Sequence, residues 1–148
     1  MSSSTASVSL TYVFHAPPER VFEVLFGDVR DVQRYTMAPA KIEARAGGVY
    51  SLFDGQIAGV FSEVSVPRTV LTWRMKNWEA GVHSTATVTI EPRGATSCSV
   101  RLQQDGIPLR DGCDNPDQER QVEQGWRERV FGAISRFVGI AHDKGDDE

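Results

Sequence analysis

Residues 115–140 read NPDQERQVEQGWRERVFGAISRFVGI. The first four residues have the form of a helix start, with Asn115 as N-cap, Pro116 at the first helical position, Asp117 in the first turn and Gln118 at the capping-box position. The helix that follows runs for about 25 residues, or roughly 37 Å. At about 100° per residue, Val122, Trp126, Val130, Ala133, Ile134, Phe137 and Ile140 fall on one broad face, and Phe131 and Val138 widen it. A stripe that long and that apolar must lie on a large apolar surface. The rest of the chain has to supply it.

Upstream, the period of the hydrophobic pattern is two. Val8, Leu10, Tyr12 and Phe14 alternate as in a half-buried strand. Pro17 and Pro18 then open a short helix with Val21, Phe22 and Leu25 as its stripe, and Asp28 precedes a second weak helical stretch, Val29 to Tyr35, with Asp31 placed to cap its first turn. From Ala40, breakers recur at Gly47-Gly48, Asp54-Gly55, Pro67-Arg68, Ala80-Gly81 and Arg93-Gly94, which delimit a meander of strands near 40–45, 48–53, 56–66, 69–76, 83–92 and 96–105. The inward faces are Leu71, Trp73, Met75, then Ala86, Val88, Ile90, then Cys98, Val100, Leu102. Thr85, Thr87 and Thr89 face outward. The fold class is α+β: a curved antiparallel sheet of about six to seven strands wrapped around a long C-terminal helix, with two short helices after the first strand. Residues 1–7 are expected to be a flexible leader, 8–140 a single domain and 141–148 an acidic flexible tail.

The chain has 148 residues, one domain's worth, with a hydrophobic share of 40% and a charged share of 24%, which excludes collagen-like, low-complexity and wholly disordered classes. The net charge is −4, and most of it sits in the terminal DKGDDE, so the folded body is near neutral. Duplex binding draws its affinity from a surplus of Lys and Arg, so nucleic acid is not expected as a partner. No apolar run approaches the roughly 20 residues of a membrane-spanning helix. MSSSTAS lacks the basic and apolar regions of a secretory signal, which points to the cytoplasm, where Cys98 and Cys113 stay thiols.

Motifs of phosphate-binding loops, dinucleotide folds, nucleophile elbows and zincins are missing. His15, His83 and His142 have no metal-ligand spacing, and no metal or cofactor is expected. Glu63 shares the face of Ile57, Gly59 and Phe61 in the simplest register, although a bulge would turn it outward. Trp78 lies in the hairpin KNWEAG with Lys76 and Asn77. It either folds back onto the strands or serves as an exposed anchor. Gly125, Gly132 and Gly139 recur every seven residues on the helix side opposite Trp126. Either another segment of the chain presses on that stripe, or a partner's backbone approaches it between Arg129 and Arg136.

YTMAPAK (35–41), ARAGGVYSLFDGQIAGVFSEV (44–64), VLTWRMKNWEAGVHSTATVTIE (70–91) and QGWRERVFGAISRFVG (124–139) together resemble the C-terminal domain of activators of the heat shock protein 90 ATPase. The likeness runs from about Val8 to Gly139. It implies a helix-grip fold of the polyketide cyclase and lipid-transfer (START-like) superfamily, and a non-catalytic co-chaperone that contacts the N-terminal ATPase domains of heat shock protein 90 and favours ATP hydrolysis there. The resemblance also implies an additional N-terminal domain in full-length members, whereas here seven residues precede the first expected strand. Met1 and the acidic tail favour a naturally short relative over a piece of a longer protein. Partner-binding candidates are Lys76, Asn77, Trp78, Gly125, Arg129, Gly132 and Arg136. The alternative is a carrier or enzyme for a small hydrophobic molecule held between sheet and helix, with Phe14, Phe61, Trp73, Met75, Trp126, Val130 and Phe137 lining or filling that space.

Overall fold

In the computed structural model, which describes residues 5–144, alternation and breakers produce the expected meander. The elements are β1 (Thr5–Phe14), α1 (Pro18–Phe22, continued by a wider turn Glu23–Gly27), α2 (Val29–Thr36), β2 (Lys41–Ile42), β3 (Val49–Leu52), β4 (Ile57–Val64), β5 (Arg68–Met75), β6 (Ser84–Arg93) and β7 (Ser97–Pro108). The long helix α3 begins at Gln118–Gln124 and continues through two wide-wound segments, Gly125–Phe131 and Ile134–Val138, before β8 (His142–Lys144). All strands pair antiparallel in one sheet of order β2-β3-β4-β5-β6-β7-β1-β8. The first part of α3 packs on β1 and β7, and its later part on α2.

The inward faces are those the alternation selects, with Val8, Leu10, Tyr12, Phe14, Leu71, Trp73, Ala86, Val88, Ile90, Cys98, Val100 and Leu102 all buried. Met75, at the end of its strand, is half-buried. Glu63 is exposed, because the pairing of β4 with β5 slips between Phe61 and Glu63, and its carboxylate takes a bond from Arg68 at 3.0 Å.

Four expectations are corrected. Residues 5–7 are not leader but the start of β1, paired with the end of β7, and residues 1–4 lie outside the described part. This pairing exists because Gly106, at φ +80°, does not end β7: the register shifts opposite Ala6 and Val8, and the strand runs on to Pro108. Likewise residues 142–144 are not tail but β8, seated on Tyr12, Val13 and Phe14, whereas 145–148 lie outside the described part. Finally, α3 starts at Gln118 rather than after Asn115, since Asp117 at φ 64° breaks the helical path.

The widened winding of α3 changes its phase. Gly132 N–H bonds to Arg127 O and Gly139 N–H to Ile134 O, each five residues back instead of four. More residues per turn bring positions five apart closer to one face. Trp126 and Phe131 therefore both point inward, stacked with ring centroids 5.6 Å apart, and Phe131 reaches Phe14 and Tyr12. By the same lag Phe137 leaves the inner face and is 44% exposed, its ring under Arg136.

The helix is pinned to the sheet by a buried polar chain. Trp126 Nε1 donates to Gln104 Oε1 (2.8 Å), Gln104 Nε2 to Ser84 Oγ (2.8 Å), and Ser84 Oγ to the Trp73 carbonyl (2.8 Å). Gln104 is 0% exposed, so water cannot replace a missing partner. Trp126→Ala is expected to cost about 3–5 kcal/mol. Trp126→Phe keeps most of the volume but orphans the Gln104 carbonyl, and is expected to cost about 1–3 kcal/mol. Urea midpoints measure both. A Phe variant as stable as the parent would show that the amide chain contributes nothing.

Candidate functional site

Where the concave face of β3, β4 and β5 meets the middle of α3, the packing leaves a cavity of about 210 Å³. Tyr50, Leu52, Ile57, Trp73 and Met75 line the sheet side, and Val122, Trp126 and Val130 the helix side. Phe53, Gln121, Gln124, Gly125, Glu128 and Arg129 complete the wall. Of the cavity candidates, Trp73, Met75, Trp126 and Val130 line it. Phe14 and Phe61 are buried in core packing without lining it, and Phe137 faces out.

Phe53 takes part in this wall from an uncommon backbone. It has φ 53°, Asp54 φ 55° and Gly55 φ 90°, with Gly55 N–H bonded to Leu52 O at 3.2 Å, so the β3–β4 connection is a tight turn with three left-handed residues. Such a conformation is an outlier for an aromatic residue. Arg129 lies over the Phe53 ring, 6.0 Å from its centroid, joining helix to turn by a cation–π contact. Among the described residues Arg129 has no carboxylate partner, whereas Arg127 pairs with Glu123.

Beside the cavity, the β5–β6 hairpin is held shut. Trp78 is 3% exposed, which corrects its candidacy as an exposed anchor: the indole packs on Trp73 (5.6 Å) and its Nε1 donates to Gln118 Oε1 at 2.9 Å. Gln118 is therefore used by the core and not as a capping-box side chain. Asn77 Nδ2 donates to Asp111 Oδ2 (2.8 Å), and Gly112 N–H to Asn77 O (2.8 Å). Asp111 also accepts from the Asn115 side chain (2.9 Å), the Asn115 N–H (2.8 Å) and the Cys113 N–H (2.9 Å). Those donors, Asn115 foremost, hold the Asp111 carboxyl well below the usual carboxylate range. Lys76 is left exposed beside this network. No sequence signal marked Asp111, since its partners lie 34 residues upstream and four downstream.

The glycine stripe has an explanation that neither expected reading contained. A Cβ on Gly132 would stand 2.9 Å from Arg127 O, the carbonyl its own N–H bonds across the wide turn. The crowding comes from the helix itself. Gly139, at φ 86°, ends the helix in the left-handed conformation, and a Cβ on Gly125 would meet nothing within 4 Å. Arg136 spans the turn to the Glu128 carbonyl (3.2 Å).

The fold and cavity together define a helix-grip domain; among the described residues no three of His, Cys, Asp and Glu are grouped to hold a metal, and no helix is long and apolar enough to cross a membrane. Residues 15–138 match the family described as Activator of Hsp90 ATPase homolog 1-like protein, and the chain belongs to that family. The human Activator of 90 kDa heat shock protein ATPase homolog 1 is 34% identical over 137 residues, covering 91% of this chain and 38% of that protein. The corresponding Dictyostelium discoideum protein is 30% identical, covering 88% of this chain and 32% of its own length. The chain thus spans about a third to two-fifths of these relatives. A crystal structure described as an HSP90 activator from Plasmodium falciparum superposes with a TM-score of 0.89 at 24% identity, covering 93% of this chain and 99% of that one.

Two outcomes are expected. Gly132→Ala should destabilise the domain, because the carbonyl it would crowd is backbone, whereas Gly125→Ala should stabilise it by up to about 1 kcal/mol through helix propensity. Urea midpoints of opposite sign check this. Because the folded Asp111 pKa is depressed, its stabilisation is full above its unfolded value of about 3.9 and is lost as pH falls through the folded value. Asp111→Asn should therefore flatten the acid limb of stability against pH below about pH 4, as followed by thermal melts at stepped pH.

Proposed function

We propose that the chain is a co-chaperone module that binds heat shock protein 90 at its N-terminal ATPase domains, in the cytoplasm, and promotes ATP hydrolysis there without catalysis of its own. The observation that carries this reading is the 34% identity to the human activator homolog across 91% of the chain. The surface supports it secondarily. Lys76, Arg129 and Arg136 are exposed cations on or beside α3 and the locked hairpin, suited to acidic groups on a partner. Trp78 contributes only by holding the hairpin, and Gly125 and Gly132 by the shape of the helix.

The test is titration of purified chaperone with the full chain, measuring binding and ATP turnover in parallel with nucleotide present. Saturable binding is expected, weakened several-fold by Lys76→Glu with no change in the melting temperature of the free chain. Undetectable binding with nucleotide present would overturn the proposal. Binding that leaves ATP turnover unchanged would confine it to a docking role.

A further inference from the structure

The two edges of the sheet are built differently. At one, β2 is two residues long and begins with Lys41, a short charged strand that offers little to pair with. At the other, β1 is ten residues long, but β8 covers it only at Tyr12, Val13 and Phe14, so Thr5–Thr11 has no strand on its outer side among the described residues. That stretch reads TASVSLT. It has neither a charge nor a proline, and no bulge of its own: from Ala6–Ile107 to Val8–Gln104 the extra residue belongs to β7, and β1 stays regular. Charges, prolines and bulges are the devices that keep an open edge unpaired. The groups on this edge follow from alternation. His15 N–H donates to Ala141 O on the β8 side at 2.9 Å, so the odd residues of β1 turn N–H and C=O outward and the even ones turn theirs to β7. Thr5, Ser7, Ser9 and Thr11 thus each present a backbone donor and acceptor that no other strand takes.

We propose that this edge pairs with the same edge of a second copy of the chain, antiparallel about a two-fold axis at Val8. Val8 is the midpoint of Thr5–Thr11, and the stretch is self-complementary about it. Thr5 meets Thr11 of the second copy, Ala6 meets Leu10 and Ser7 meets Ser9, so hydroxyl residues face one another on the outer surface and apolar residues on the core side. The same register satisfies the backbone. Odd residues face odd residues, every outward N–H and C=O of the stretch gains a partner, and the two Val8 residues fall at a non-hydrogen-bonded position. Pairing ends where β8 begins, because Tyr12 is already opposite Lys144. No like charges within the stretch meet across the axis. The product is an isologous dimer with both copies of α3 on one side of a continuous sheet. Ladder bonds hold it rather than a large apolar area, so association is reversible and depends on concentration.

The experiment measures the mass of the full chain by sedimentation equilibrium at concentrations up to about 1 mM. No chaperone is present, so failure leaves the chaperone reading untouched. Expected is a monomer–dimer equilibrium that is half-associated below about 1 mM, with amide exchange at Ser7, Ser9 and Thr11 slowed as the dimer forms. Ser9→Pro removes an outward donor while sparing the bonds of β1 to β7, and should weaken dimerisation about tenfold. Ser7→Lys/Ser9→Lys sets lysine against lysine across the axis and should also weaken it about tenfold, whereas Ser7→Lys/Ser9→Glu sets lysine against glutamate and should return it to within about threefold of the parent. Ser7 and Ser9 are exposed, so the double variants leave the core intact, as circular dichroism checks. A chain that stays monomeric throughout overturns the proposal. So does a dimer that Ser9→Pro and the double-lysine variant leave intact, or one that the lysine–glutamate variant fails to restore.

Discussion

An indole cannot be buried for nothing: its N–H must find an acceptor or the fold forfeits the desolvation cost of that donor. Trp126 meets this constraint through Gln104, and the acceptor then has donors of its own to place, which it does on Ser84, which in turn bonds the Trp73 carbonyl. One requirement on the helix thus propagates across β7, β6 and β5. Sliding α3 along the sheet by one residue would break the Trp126–Gln104 bond and leave its donor and its acceptor buried without partners, so the chain specifies the helix position as well as its burial. Hydrophobic area alone, being non-directional, could not do this.

The same anchoring accounts for the winding of α3. With Trp126 fixed on Gln104, an ordinary helix would turn Phe131 about 140° away from it. Instead the chain takes bonds five residues long at Arg127–Gly132, and Phe131 joins the core stacked on Trp126. The cost appears at two places. Position 132 has no room for a side-chain carbon, and Phe137 is turned into solvent. The hole between α3 and β3–β5 lies under this wide-wound stretch, bounded by Gly125, Trp126, Arg129 and Val130 of its first segment.

The strands were legible because alternation is a local property: Val88 faces in and Thr87 toward solvent whatever the rest of the chain does. The inner face of α3 was legible as far as Ile134, and failed at Phe137 because the pattern presupposes 3.6 residues per turn, which the helix abandons. Gly132 was the visible trace of that departure, but a glycine alone does not say which atom it makes room for. Gly106 misled in the same way, since a turn and a bulge use the same left-handed glycine. β8 was illegible because His142, Asp143 and Lys144 carry no apolar alternation; what seats them is His142 stacked on Phe14 and edge-on to Tyr12. The cavity could not be read at all. Volume left over is a property of the packed whole, and aromatics that could fill a space may equally wall it.

The hairpin illustrates how much an exposed residue owes to buried ones. Lys76 follows Met75, which faces the cavity, and precedes Asn77, which is tied to Asp111. Trp78 is tied to Gln118, and its carbonyl accepts from Arg74 at 2.8 Å. Every neighbour of Lys76 is thereby held by an interaction with a different element, and Asp111 stays charged across the range where its donors need an acceptor. A cation on a loop of this length would ordinarily lose backbone freedom when it meets a partner. Here that ordering is already complete in the free chain, so only the side chain of Lys76 remains to be fixed.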